Sequence, residues 1–229
     1  MASVVIKKET LRFLQSLSKN NNREWFAAHK NNYTTAHENM IAFAHALLLQ
    51  MEKHDKIETP SGRQSLHRIY RDIRFSKDKT PYNTHWGGGF MRATKLLRGS
   101  YYFHIEPGRS FISGGFWGPN AEDMKRIRED IDTNHDAWRK LLNSKTLQQT
   151  FGVLNGAQLS SAPRGYAKDH PAIDLLRYKQ FRLVHTFTDE DVLSPGFISM
   201  VNDTFKKMRP FLNHMSEVLT TDANGELLV

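Results

Sequence analysis

The sequence predicts an α+β fold, a central antiparallel sheet with long N-terminal and C-terminal helices packed on one face. Three observations carry this reading. Apolar residues recur at helical spacing near both ends of the chain. Strand-like alternation fills its middle. The turn between two of the candidate strands is only four residues long, too short for a parallel crossover.

In chain order, residues 9–18 read as a helix with Leu11, Leu14 and Leu17 on one side, broken by Lys19-Asn20-Asn21-Asn22. Asn21, with Glu24 three residues on, has the capping-box pattern. From Trp25 and Phe26 through Tyr33, Met40 and Leu47 to Met51, a stripe at helical spacing predicts one long helix, ended by Thr59-Pro60-Ser61-Gly62. Strands are expected at 70–75, 85–91, 100–106 and 110–116. Tyr101, Phe103 and Ile105 alternate with Tyr102, His104 and Glu106, the period of a half-buried strand. Glu106-Pro107-Gly108-Arg109 reads as a hairpin turn.

Beyond residue 117 the pattern turns helical. Pro119 opens a helix bearing Met124, Ile127 and Ile131, and Asn134 is placed to cap another bearing Trp138, Leu141 and Leu142. A short helix at 144–151 ends at Gly152, and residues 155–170 read as a loop. A helical turn at 171–176 precedes a strand at 182–187. Thr188 with Asp191 forms a further cap. Ser194-Pro195 opens a last long helix through Phe197, Phe205, Phe211 and Leu219, with a kink expected at Pro210. The whole reads as a single domain, residues 1–229: N-terminal helices at about 9–55, a strand-rich middle at about 68–117, and a helical remainder at about 119–220 with one further strand near 182–187.

Composition excludes several chemistries. The 229 residues include no cysteine, which removes disulfide scaffolds, Cys-ligated zinc, iron–sulfur clusters and thiol catalysis. No apolar run reaches the roughly 18 residues of a membrane span. With no signal-peptide pattern either, no membrane partner is expected and the cytoplasm is the expected compartment.

The net charge of +8 is concentrated. Residues 61–100 hold nine Lys and Arg against two Asp, whereas the rest of the chain is nearly balanced. Clustered cations concentrate negative ligands. Within this stretch Arg68, Arg71 and Arg74 sit three apart. If the segment is extended, Asp72 shares a face with Arg74 and holds its guanidinium in a fixed fork, the arrangement that an oxyanion clamp requires. Lys79 and Tyr82 follow as further donors. The alternative is an internal Arg–Asp network that braces the fold, since ion networks are structural as often as functional.

The pattern Arg-x-x-Arg-Asp-x-Arg-Phe, here Arg68 to Phe75, followed by Lys79 and Tyr82, resembles the signature of a bacterial family of about 230 residues catalogued only as a domain of unknown function. The resemblance runs from about Phe13 to about Leu219. It takes in Asn22-Arg23-Glu24-Trp25-Phe26, Tyr102 to Pro107 and Gly114-Gly115-Phe116-Trp117. It implies no activity, and adds weight to residues 68–82.

His104 and Glu106, two apart on one strand face, are acid–base candidates. With two ligands in view, no metal site is assigned. His85-Trp86-Gly87-Gly88-Gly89 lacks the Lys-Ser/Thr ending of a phosphate loop. The expected function is an anion-recognising enzyme or binding protein for a phosphate or carboxylate ligand. Arg68, Arg71, Arg74, Lys79 and Tyr82 would bind the anion, and Asp72, His104 and Glu106 would supply catalysis. The alternatives are a single-stranded nucleic-acid-binding module, because aromatics interleave with cations, and a structural Arg–Asp network in a protein-interaction domain. The sequence names no cofactor and no oligomeric state.

Overall fold

Side chains alternate across extended backbone, and this organises the centre of the molecule. The computed structural model describes residues 4–93, 95–222 and 225–228. Strands β1 (Trp86–Met91), β2 (Ser100–Ile105), β3 (Ser110–Phe116) and β4 (Phe181–Phe187) form a four-stranded antiparallel sheet in the order β1-β2-β3-β4. In β2, Tyr101, Phe103 and Ile105 are buried in the core, while Tyr102 and His104 on the other face are half-buried. The expected hairpin is present: the Arg109 amide donates to the Glu106 carbonyl at 2.9 Å, and Gly108 supplies a φ of 75°. The expected strand at 70–75 is not formed. Tyr70 instead makes an isolated antiparallel bridge to Tyr82, and the chain between them closes on itself.

The helices are α1 (Lys8–Lys19), α2 (Arg23–Ala28), α3 (Lys30–Met51), α4 (Gly62–Ser65), α5 (Ala121–Leu142), α6 (Lys145–Phe151), α7 (Ile173–Leu176), α8 (Asp189–Leu193) and α9 (Phe197–Thr220). The long helix expected from Asn21 to Met51 is two helices, because the backbone leaves the helical region at His29 (φ −110°, ψ 22°). Its cap is Asn22, whose side chain accepts from the Trp25 amide at 2.9 Å. Asn21 reaches elsewhere: its amide donates to the Tyr82 carbonyl at 2.8 Å and its oxygen accepts from the Tyr82 amide at 3.1 Å. The two helices expected around Asn134 are present: they meet within α5 at a kink where Asn134 itself leaves the helical region (φ −120°, ψ 28°). The Thr188–Asp191 capping box is formed, and α9 runs through Pro210. Among the described residues no helix is long and apolar enough to cross a membrane.

The chain groups into two compact units, each gathered from three stretches. The first comprises Met1–Phe90, Tyr102–Ile112 and Thr186–Asp203. In it, Phe43 of α3 meets Phe103 of β2 edge-on at 5.5 Å and stacks on Phe197 of α9 at 5.6 Å. Helices from early and late in the chain thus cover one face of the strand. The second unit comprises Met91–Tyr101, Ser113–His185 and Thr204–Val229. Its core holds Tyr101 against Phe205 at 4.9 Å and a fully buried Trp138 whose indole N–H donates to Asp130 at 2.6 Å.

Gly88 lies on the core side of β1, where an added Cβ would run into the Phe103 ring. Gly88→Ala is expected to cost about 1–3 kcal/mol through overpacking, read as a lower urea midpoint at unchanged slope.

Candidate functional site

The outward face of β2 carries Tyr102 and His104, and Glu106 continues the alternation into the hairpin turn. β1 flanks β2 on one side and β3 on the other. This places His104 between His85, immediately before β1, and Phe111 of β3. The His85 and His104 rings stack at 4.1 Å, and the His104 and Phe111 rings at 4.7 Å. The imidazole is thereby clamped from both sides.

Its two nitrogens are also engaged. With the neutral ring protonated at Nε2, that N–H donates to Glu106 Oε2 at 2.9 Å, and Nδ1 accepts from the Tyr102 hydroxyl at 3.2 Å. The other carboxylate oxygen, Glu106 Oε1, accepts from Arg109 at 2.6 Å and from the Thr84 hydroxyl at 3.2 Å. The His104 and Glu106 side chains are each 12 % exposed. Gly87 makes the arrangement sterically feasible, since a Cβ there would stand 2.8 Å from the Tyr102 hydroxyl.

Burial, with His104 adding to it, pushes the His85 imidazole down to about 4, so this ring is neutral at pH 7. Burial raises the Glu106 carboxyl, but the hydrogen bonds from His104 and Arg109 together outweigh it and leave the group below its ordinary value. Burial and the nearby Glu106 charge raise the Tyr102 phenol.

His85, His104 and Glu106 each offer a ligand atom, and the three lie within 4.8 Å of one another. Two imidazoles and a carboxylate are the donor set of a two-histidine, one-carboxylate metal centre. The surrounding contacts are those such a centre needs. Tyr102 holds the far nitrogen of His104, and Thr84 with Arg109 holds the far oxygen of Glu106.

The arginine segment is arranged otherwise. It is the loop of an irregular antiparallel ribbon. The His67 amide donates to the Gly87 carbonyl at 2.8 Å, Arg71 to Pro81 at 2.9 Å, and Asn83 to Ile69 at 2.7 Å. Arg71 donates to Asp78 Oδ2 at 2.6 Å, to the Thr80 carbonyl at 3.0 Å and to the Thr80 hydroxyl. Arg74 forms the expected fork with Asp72, with contacts of 2.9 and 2.6 Å, on an exposed surface. Lys79 turns back onto the Ile73 carbonyl at 3.0 Å. Arg68 is exposed and pulls on the Asp72 charge from a distance. Tyr82 is buried, its ring stacked on Phe26 at 4.0 Å. Arg71 and Arg74 therefore engage two separate carboxylates, and Tyr82 serves the core.

Of the expected site residues, His104 and Glu106 are brought together and Asp72 is committed to Arg74. The sequence reading does not single out His85, Tyr102, Thr84 or Arg109 for this centre. The signal for the first two is parity: His85, just before β1, is in step with Gly87 of that strand, and Tyr102 shares the face of His104 on the next.

The Thr80 amide, followed by Arg71, holds the Asp78 carboxyl at about 2, below its ordinary 3.8. A depressed folded-state value means that the contribution of Asp78 to loop order is complete above about 4 and is lost as pH falls through about 2. An NMR titration of the Asp78 carboxyl is expected to give that low midpoint. A midpoint near 4 would show that the Thr80 and Arg71 contacts are not made in solution.

A protein family described as conserved hypothetical protein (DUF2461) matches residues 9–214. No curated protein and no solved structure matches the chain.

Proposed function

We propose, for a chain that belongs to the conserved hypothetical protein family DUF2461, a metal-dependent enzyme acting on an anionic substrate, with its centre at His85, His104 and Glu106. The observation that carries this reading is the convergence of three ligand atoms within 4.8 Å, each on a side chain already oriented by its neighbours. The 2.9 Å separation of His104 Nε2 from Glu106 Oε2 suits two adjacent ligands on one ion, since metal–ligand bonds of about 2.0–2.2 Å at a right angle set their donor atoms about 3 Å apart.

Bound at this point, a divalent ion would polarise a phosphoryl or carboxyl oxygen of the substrate. The chain's own residues do the rest. With Nε2 holding the ion, the His104 ring would carry its single proton on Nδ1 instead of Nε2, and its hydrogen bond with Tyr102 would reverse, the Nδ1–H donating to the Tyr102 oxygen. Arg109 and Thr84 keep Glu106 Oε1 occupied, which leaves Oε2 for the ion. Arg68, Lys77 and Lys79, which belong to the same compact unit as the centre and pair with no carboxylate among the described residues, draw anions toward that unit. Anion recognition, expected from an arginine pocket, is reassigned here to the metal centre and its surroundings.

Isothermal titration of chelator-treated protein with Zn²⁺, Mn²⁺ and Ni²⁺ tests the reading. One saturable site is expected for at least one ion. His85→Ala and Glu106→Gln are expected to abolish it. Tyr102→Phe, which removes only the oxygen that orients His104, is expected to weaken it about 10- to 100-fold. Inorganic phosphate is expected to bind only with the ion present. Absence of saturable binding for all three ions would overturn the proposal, as would an unchanged isotherm for the His85 and Glu106 variants when their circular dichroism matches that of the parent.

A further inference from the structure

The loop between Tyr70 and Tyr82 is built to hold one ring in water. Phe75 is 96 % exposed, more than any other large apolar side chain described. The backbone behind it is braced at several points. Arg71 ties Asp78 and Thr80 together, Lys79 reaches across to the Ile73 carbonyl, and the Asp78 carboxylate accepts from both the Thr80 amide and the Thr80 hydroxyl. An exposed phenylalanine on a floppy loop would need no account. This one is displayed by a stiffened frame, with the Arg74 guanidinium 5.9 Å from its ring.

The charge around it is positive. Between residues 68 and 80 there are five Lys and Arg against two Asp, and Arg71 and Arg74 answer those two acids. The charge of Arg68, Lys77 and Lys79 is left in excess. A second aromatic, Tyr70, is 52 % exposed on the stem of the same loop, with Lys30 Nζ 3.5 Å from its hydroxyl.

A ring face beside uncompensated cations matches a ligand that has both flat apolar surfaces and regularly spaced negative charge. We propose that the loop 71–81 docks single-stranded nucleic acid, with a base stacked on Phe75 and phosphates against Arg68, Lys77 and Lys79. Base stacking needs only one open ring face and tolerates any sequence. The tip does not suit membrane insertion, because Ser76, Lys77 and Asp78 follow the single ring, whereas interfacial anchoring needs a continuous apolar face. Paired bases in a duplex are shielded from Phe75, so the preference is for single strands.

This docking surface does not rest on the metal centre, and the test separates the two. The full chain is titrated into a fluorescein-labelled 20-mer of thymidine at 50 and 200 mM KCl, with anisotropy as the readout. Binding is expected at 50 mM and is expected to weaken steeply at 200 mM as phosphate contacts are screened. Phe75→Ala is expected to weaken it about 5- to 100-fold at fixed salt, and Phe75→Trp to retain it. Lys77→Glu is expected to weaken binding and flatten the salt dependence. His85→Ala, which removes a metal ligand, is expected to bind as the parent does. The side chain of Phe75 is almost wholly in solvent, so the melting temperature of Phe75→Ala should match that of the parent. No binding at 50 mM salt overturns the proposal. So does a Phe75→Ala variant that binds like the parent, equal affinity for a duplex of the same length, or binding to phosphatidylserine vesicles without binding to the oligonucleotide.

Discussion

One imidazole, that of His104, is fixed in every respect that an imidazole can be. Rings on either side, from His85 before β1 and Phe111 of β3, restrain its plane, a phenol and a carboxylate hold its two nitrogens, and its strand is anchored from behind by buried aromatics. The candidate centre depends on this. A histidine free to rotate would present either nitrogen in many directions, and a ligand set would have to be ordered at the moment of binding. Here the conformational entropy is already lost on folding, offset by the burial of Tyr101, Phe103 and Ile105 beneath the same strand. Pleat geometry therefore ties the stability of the core to the readiness of the site.

The fold was largely legible from apolar spacing, and the places where the reading fails share a physical cause. β2, β3, β4 and α9 follow directly from period-2 or helical recurrence. The break at His29 is invisible to such patterns, because the apolar stripe continues across it while the backbone does not. Asn21 and Asn22 both have cap-forming side chains, and Glu24, three residues beyond Asn21, favours Asn21 in the sequence. Only the long-range demand of the Tyr82 backbone for a partner decides between them. The segment 70–75 has strand-like residues, yet the Arg71 and Arg74 amides and the Ile73 carbonyl find their partners within the 71–81 loop rather than in a ladder.

The site was half legible. His104 and Glu106 stand out because they are two apart on an alternating strand. His85 lies nineteen positions earlier, and only the pairing of β1 with β2 brings it within reach. The arginines illustrate the opposite difficulty. Their spacing is conspicuous, but a guanidinium finds the nearest carboxylate, and Asp72 and Asp78 are near in sequence as well as in space. Local neutralisation turns a run of cations into a stiff scaffold, which a charge count cannot distinguish from a pocket.

The two compact units bear on how the molecule comes to be made. Each is assembled from three stretches of chain that interleave with those of the other. Neither can be excised as one continuous fragment, and neither is complete early in synthesis. The first unit, which carries the whole candidate centre, lacks its last stretch until Asp203 has left the ribosome. Phe43 and Phe103 must wait for Phe197 to close their cluster. Pairing between residues so distant in the chain makes folding slow relative to its local helices. For much of translation the nascent polypeptide displays an apolar strand face with no lasting cover, a natural client surface for chaperones that bind at the exit tunnel.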